Sequence, residues 1–249
     1  MTGVFASQAV LFDLDGVLTD TAAVHRRAWS ALFTEFLPRV APAAAPYTDA
    51  DYFALVDGKA RAAGVRSVLD SRGVDVPDGE LDDPPDTDTV HGLGNRKNVR
   101  FTEIIGRDGV EVFEGSLRLV DALAAAGIPL AVVSSSRNAV LVLDTAGLRD
   151  RFAVVVDGVV AQDERLASKP APDMFLTAAQ RVGAEPAHTV VIEDAVSGVE
   201  AGRRGGFWVV GVDRGSGASA LRDAGADIVV SDLAELLDTP VPEVRPGVG

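Results

Sequence analysis

The chain has no cysteine. Disulfides, thiolate nucleophiles and thiolate zinc sites are therefore excluded, and the composition is compatible with a reducing compartment. Cations are in the minority: 23 Lys and Arg face 37 Asp and Glu, a formal net charge of −14. That balance argues against a generic nucleic-acid or anionic-membrane surface, both of which need a basic patch. It leaves room for a small anionic substrate, because a local cluster of Lys, Arg and metal can overcome the global field. No apolar run approaches the length of a membrane span, and the N-terminus shows no basic segment followed by an apolar one. The expectation is a soluble cytoplasmic chain without a signal peptide, with no nucleic-acid and no membrane partner. No internal repeat is visible. What is present is ordinary globular material, 249 residues with 47% hydrophobic and 24% charged side chains. It is enough for one domain with a full core, or one domain carrying a sizeable insertion.

The most informative stretch is Gln8-Ala9-Val10-Leu11-Phe12-Asp13-Leu14-Asp15-Gly16. Residues 9–12 form a continuous apolar run, which suits a strand buried on both faces of a parallel sheet. The run ends in two carboxylates one residue apart, and side chains at i and i+2 share one side of an extended backbone. Two like charges held that close call for a cation or a shared proton. Carboxylates at the C-terminal end of a parallel strand stand where α/β sheets bind ligands.

Residues 21–36 place Val24, Ala28, Leu32 and Phe36 at helical spacing, with Trp29 and Phe33 on an adjoining stripe. Thr19, Asp20 or Thr21 is positioned to cap that helix. Pro38, Pro42 and Pro46 argue against a helix through 37–46. Residues 49–107 read as helical, best at 60–70 and 90–105, with an acidic, Pro-rich solvated connector at 77–86 between them. From Val110 helices and short apolar strands alternate: helices at 116–126, 138–145, 172–182 and from 196, strands at 128–133, 152–156, 189–192, 207–212 and 228–230. This pattern predicts a doubly wound parallel α/β sheet, a Rossmann-like core, with right-handed crossovers. The core is read as 1–19 plus 110–249, and 20–109 as an inserted helical cap placed to act as a lid.

Three more signals sit at strand ends. Ser134-Ser135-Ser136-Arg137-Asn138 offers hydroxyls and backbone N–H groups at a helix start, a phosphate-sized anion site that on its own is also common capping chemistry. Lys169 lies between a loop and a Pro-initiated helix. Glu193-Asp194 ends a buried strand, which is costly unless the pair binds a cation or caps the next helix. An oxygen-rich carboxylate cluster suits Mg²⁺, and a lysine and a hydroxyl beside it suit a phosphoryl group.

The order Asp13-Leu-Asp15, Ser134, Lys169 and Glu193-Asp194 resembles the four motifs of the haloacid dehalogenase superfamily, over a span from Phe12 to about Asp232. The opening run from Asp13 to Trp29 with His25, the loop 134–138 and Ser168-Lys169-Pro170-Ala171-Pro172-Asp173 resemble the β-phosphoglucomutase-like family. Gly58 and Arg61 stand where that family places a glycine and a phosphate-clamping arginine. Asp57 stands where the family has a lysine, Lys59 is displaced, Glu103 falls where at least one member has a lysine, and the loop 78–88 is longer. These departures bear on the substrate rather than on phosphoryl chemistry.

The resemblance implies phosphoryl transfer through an aspartyl phosphate on Asp13. Mg²⁺ would be held by Asp13, Asp194 and the backbone carbonyl of Asp15, with Glu193 either a ligand or a group that orients metal-bound water. Lys169 and Ser134 would take up charge on the phosphoryl oxygens. Asp15 would serve as general acid and then general base, its pKa rising when the lid closes. His25, Trp29, Gly58 and Arg61 on the cap, with Ser135, Ser136, Arg137 and Asn138 on the core, would bind substrate. The implied partner is a small sugar phosphate and the implied state a monomer. A mutase acting on β-glucose 1-phosphate and a sugar-phosphate phosphatase both fit. A phosphoaspartate signalling module would need neither Asp15 nor a lid, and a simple dehalogenase would lack the second aspartate and the metal.

Overall fold

The computed structural model describes residues 4–237. Strand β1 (Ala9–Phe12) is followed by four cap helices: α1 (Thr21–Val40), the single turn α2 (Asp49–Asp51), α3 (Arg61–Ser71) and α4 (Val90–Asp108). The chain then runs α5 (Glu114–Ala125), β2 (Leu130–Val133), α6 (Ala139–Thr145), β3 (Val154–Val156), α7 (Gly158–Asp163) and α8 (Asp173–Val182). It ends with β4 (Thr189–Glu193), α9 (Val196–Arg204), β5 (Trp208–Val212), α10 (Ala218–Ala224) and β6 (Ile228–Val230). All six strands are parallel, in the order β3-β2-β1-β4-β5-β6.

The strands are apolar on both faces because both faces are covered. Val10, Phe12, Leu130, Val132, Val190 and Ile192 point to one side, where Leu119, Val120 and Leu123 of α5 and Val142 and Leu143 of α6 meet them. Leu11, Ala131, Val133, Val191 and Val209 point to the other, against Met174, Phe175 and Ala178 of α8 and Val199 of α9. The cap helices bury a cluster of their own, centred on Trp29, Leu32, Phe33, Phe36, Val65, Val68, Leu69 and Leu93. The roots of α1 and α4 belong instead to the sheet's cluster, through Val24, Ala28, Phe101 and Ile105. The chain enters and leaves the cap through one paired neck: the Asp20 amide donates to the Glu111 carbonyl (3.0 Å) and the Phe113 amide to that of Leu18 (3.0 Å).

Some local expectations are corrected. Helix α1 runs on through Pro38 to Val40. Proline's φ is compatible with a helix, and Pro38 and Thr34, the residue whose carbonyl loses its donor, are both exposed. Phe36 and Leu37, both buried, hold that last turn against the cap core. Asp20 takes the capping position of α1 but its side chain makes no capping bond. The acidic loop 77–86 is exposed at every residue but Asp83, as expected of a solvated connector, and it is also fastened to the cap. Asp83 accepts from the Thr89 hydroxyl (2.6 Å), Asn95 Nδ2 donates to the carbonyls of Leu81 (3.0 Å) and Asp83 (2.9 Å), and Arg66 pairs with Asp78. Among the described residues no helix is long and apolar enough to cross a membrane.

Candidate active site

Strands β2, β1 and β4 lie side by side, so the residues that follow them converge on one edge. Phe12 pairs in register with Val132 on one side and Ile192 on the other. Asp13 therefore emerges next to Glu193, and Ser134 one strand away. In a sheet of this order the chain reverses its direction of winding between β1 and β4, which opens a crevice beyond the strand ends.

Lys169 reaches into that crevice from the loop before α8. Its Nζ donates to Asp13 Oδ1 (2.6 Å), Glu193 Oε1 (2.6 Å) and the Val133 carbonyl (3.0 Å). All three protons of an ammonium are used, and although burial opposes the charge, Asp13 and Glu193 hold the Lys169 pKa above its ordinary value. The other oxygen of Glu193 accepts from the amides of Asp194 and Ala195, both at 3.1 Å. Both Glu193 oxygens are thus engaged, which shapes the turn into α9.

Carboxylate oxygens of Asp13, Glu193 and Asp194 lie within 4.8 Å of one another. Burial raises the Asp13 pKa well above the carboxylate range, against the pull of Lys169 and with the help of Glu193 and Asp15. Burial likewise raises Asp194, reinforced by Asp57, Glu193, Asp13 and Asp15. A single buried ammonium does not neutralise this group. Hard oxygen donors without nitrogen or sulfur suit Mg²⁺, so the residues present fit that ion, with Asp13 and Asp194 carrying the less occupied carboxylates. Gly16, at φ +94°, makes the crowding possible, because a Cβ there would run into the Asp194 carboxylate.

Asp15 lines the same crevice but lies outside this group of three and has other partners. It accepts from the Thr21 hydroxyl (2.5 Å) and the Ser134 hydroxyl (3.2 Å). His25 Nε2 lies 3.3 Å from Asp15 Oδ1 but is not aligned for a hydrogen bond, and this buried nitrogen has no formed partner. On its other side His25 Nδ1 touches the Nζ of Lys97. Lys97 is 2% exposed and packed over the rings of Phe101 (4.6 Å) and Trp29 (5.3 Å). Burial, reinforced by Arg61, pushes the Lys97 pKa well down. Burial and Lys97 also lower His25, against Asp15. The Asp15 carboxyl behaves oppositely to the expectation from lid closure. Burial would raise it, but His25, the Thr21 hydroxyl and Lys97 outweigh burial and bring it to about 2. The cap limits water at Asp15, whose side chain stays partly exposed, and it also delivers donors and positive charge.

Farther into the cap, Arg61 opens α3. Its guanidinium donates to Asn95 Oδ1 (3.2 Å) and Asn98 Oδ1 (2.7 Å), and Asn138 of the core donates to the same Asn98 oxygen (2.7 Å). Burial, and then the charge of Arg137, bring Arg61 down to about 10. Two guanidiniums therefore face each other, and among the described residues neither has a carboxylate within ion-pair distance. Between this cationic end and the acidic end lies the turn 57–58. The Ser197 hydroxyl donates to the Asp57 carbonyl (3.0 Å) and the Ser135 hydroxyl to the Gly58 carbonyl (2.8 Å). Gly58 has φ +69°, and a Cβ there would run into the Ser197 hydroxyl.

One cleft between cap and core is lined by Asp13, Asp15, His25, Trp29, Gly58, Arg61, Ser134, Ser135, Ser136, Arg137, Asn138, Glu193 and Asp194. Lys169 supports it from within the core. Lys97, Tyr52 and Asp57 line it too. Lys97 was missed by sequence reasoning, although a signal exists: it interrupts the apolar stripe Leu93, Lys97, Phe101, Ile105 on α4, all buried. Glu103 is exposed and Asp57 is turned toward the acidic end, so neither departure from the family pattern faces Arg61.

A sheet that reverses between β1 and β4, with an aspartate after the first strand answered by a lysine and an acidic pair, defines a phosphoryl-handling α/β enzyme class. A model of the haloacid dehalogenase-like hydrolases matches residues 8–206, and the chain belongs to that family. It is 52% identical over 240 residues to a β-phosphoglucomutase of Mycobacterium bovis, covering 92% of this chain and 91% of that one. To a β-phosphoglucomutase of Bacillus subtilis it is 33% identical over 230 residues, with coverage of 92% and 91%. The fold is shared with the crystal structure of a β-phosphoglucomutase from Clostridium difficile, with a TM-score of 0.76, 24% identity and coverage of 92% and 93%.

Proposed function

We propose that the chain is a Mg²⁺-dependent β-phosphoglucomutase that interconverts β-glucose 1-phosphate and glucose 6-phosphate through a phosphoryl group carried on Asp13. Residues 20–109 form its lid and residues 1–19 with 110–249 its catalytic core. The observation that carries the reading is the polarity of the cleft. An acidic, lysine-anchored end suits the phosphoryl group in transfer, and an opposed end with the unpaired Arg61 and Arg137 suits a second phosphate. The relatives named above support the substrate.

Asp13 attacks phosphorus with one carboxylate oxygen, and the bond from phosphorus to the sugar oxygen breaks. Lys169 holds Asp13 in line and keeps a positive charge beside it. Mg²⁺ between Asp13 and Asp194 would supply charge compensation for the phosphoryl oxygens. Glu193 fixes Lys169 and the turn that carries Asp194. Ser134 both accepts from the Ser136 amide (3.1 Å) and donates to Asp15, so it couples the anion loop to the acid–base residue. Ionised Asp15 is the form that takes a proton from the attacking sugar hydroxyl. The proton it gains is then given to the departing sugar oxygen in the complementary half-reaction. Buried His25 Nε2, with no aligned partner, is available to a sugar hydroxyl. Arg61, Arg137 and Asn138 bind the phosphate that is not being transferred, bidentately in the case of a guanidinium.

The test is a product assay on β-glucose 1-phosphate with a trace of the bisphosphate. Glucose 6-phosphate without inorganic phosphate is the expected result. Stoichiometric inorganic phosphate would overturn it in favour of a sugar-phosphate phosphatase, in which water attacks the phosphorylated Asp13.

A further inference from the structure

Among the described residues, the turn 57–58 is the one place where the cap brings a carboxylate to the cleft. It follows the π-helical turn Tyr52–Val56. Its backbone is bolted to the core by the Ser197 and Ser135 hydroxyls, and it is pressed so close to Ala195, the residue after Asp194, that an added Cβ on Gly58 would lie 2.9 Å from the Ala195 Cβ. The Asp57 amide donates to the Tyr52 carbonyl (2.9 Å), which ties the residue to that turn. Asp57 thus lines the same cleft as Asp13, Asp15, Glu193 and Asp194.

Such a placement is unfavourable by itself. Carboxylates gathered in one cleft away from bulk water repel one another. Each neutral hydrogen bond that docks the turn contributes only about 1 kcal/mol. A divalent cation at Asp13 and Asp194 offsets most of the negative charge of that group and so weakens the repulsion on Asp57. We infer that Asp57 is a cap-borne positioning carboxylate for the cation centre, so that Mg²⁺ binding and docking of the cap turn on the core favour each other. The inference rests on the Mg²⁺ reading of the Asp13–Asp194 site given above. A lysine at this position would meet the cation as a like charge, whereas Asp57 meets it as an opposite one.

Linkage makes the effect measurable from either side. Mg²⁺ is titrated calorimetrically into the intact protein, its Asp57→Asn variant and its Asp194→Asn variant. Hydrogen exchange of the Asp57 and Lys59 amides, bonded in the structure to the Tyr52 and Val56 carbonyls, is followed with and without Mg²⁺. In the intact protein Mg²⁺ should slow that exchange. Asp57→Asn should bind Mg²⁺ about tenfold more weakly and lose the Mg²⁺-dependent slowing, because the neutral amide keeps the shape of the side chain but feels no pull from the cation. Ser197→Ala, which touches no charge, should weaken Mg²⁺ binding by a smaller factor and serves if Asp57→Asn fails to fold. Unchanged affinity together with retained slowing in Asp57→Asn, while Asp194→Asn no longer binds Mg²⁺, overturns the inference and leaves the cation site standing. No Mg²⁺ binding by the intact protein overturns the cation reading and the inference with it.

Discussion

Asp13 touches Lys169 in the ground state through the oxygen that an amide would also present. In Asp13→Asn the amide oxygen can still accept from Lys169, which keeps Glu193 as its counter-charge. Removing one of several crowded carboxylates also relieves repulsion. The variant is therefore expected to fold with an undiminished melting temperature. It should show no turnover and no base-labile phosphoenzyme, since the neutral amide is not a nucleophile for phosphorus. Even a few per cent of residual turnover, with deamidation back to aspartate excluded, would remove Asp13 from the nucleophile's place. The same residue-scale logic explains why Lys169 tolerates complete burial: each of its protons has an oxygen, and two of those oxygens are anionic.

The elements matter through what their ends present. Helix α3 begins with Arg61, and α4 supplies Asn95 and Asn98 to hold its guanidinium by neutral amide oxygens rather than by a carboxylate. That leaves the positive charge uncompensated and available to a phosphate. Arg61→Ala should slow sugar-phosphate turnover by ten- to a hundredfold, about 1.4–2.8 kcal/mol of transition-state stabilisation. Hydrolysis of a small aryl phosphate, which has no second phosphate, should remain nearly unchanged. Steady-state kinetics on both substrates checks this: an equal fall in both would make Arg61 a structural residue of the cap, and a fall in neither would favour the phosphatase reading. At the other end of the cleft, β1 and β4 present Asp13 and Glu193 side by side because Phe12 and Ile192 are in register.

At the scale of the whole molecule, the cleft concentrates carboxylates that burial makes reluctant to ionise. Burial, with Glu193 and Asp15 and against Tyr52 and Lys169, raises Asp57 to about 7 from 3.8. Asp13 and Asp194 are raised as well. A carboxyl that binds its proton more tightly when folded stabilises the fold fully below its unfolded pKa, and that stability is lost as pH rises through the folded value. The metal-free protein in EDTA should therefore melt at progressively lower temperature between about pH 5 and pH 8. Asp15, shifted down to about 2, acts in the opposite sense but below that window. Saturating Mg²⁺ should restore both activity and the melting temperature at the upper end, because the cation replaces the protons. A melting temperature in EDTA that is flat across this range would contradict the crowding described here, and full activity after exhaustive chelation would remove the cation from the reaction.

The sequence by itself determined the parallel sheet and placed acidic and hydroxyl residues at the ends of its strands. Apolar runs ending in Asp13, Ser134 and Glu193-Asp194 are local patterns, and a parallel sheet has one edge on which to gather them. The short helices α7 and α10 were not legible, being of six and seven residues with few periodic positions. Nor was the continuation of α1 through Pro38, which depends on Phe36 and Leu37 finding the cap core. Only the tertiary structure decided the electrostatics. Whether Lys97 is a solvated charge or a buried neighbour of His25 depends on α1 and α4 packing with Trp29 and Phe101 between them. Whether Asp57 faces the Arg61 clamp or the acidic end depends on the hydroxyls of Ser197 and Ser135, far away in the chain. Whether Asp15 is raised or lowered depends on burial competing with His25, Thr21 and Lys97 at distances of a few ångströms. Charge interactions vary steeply with separation and solvent exposure, and neither quantity exists until the cap is laid on the core.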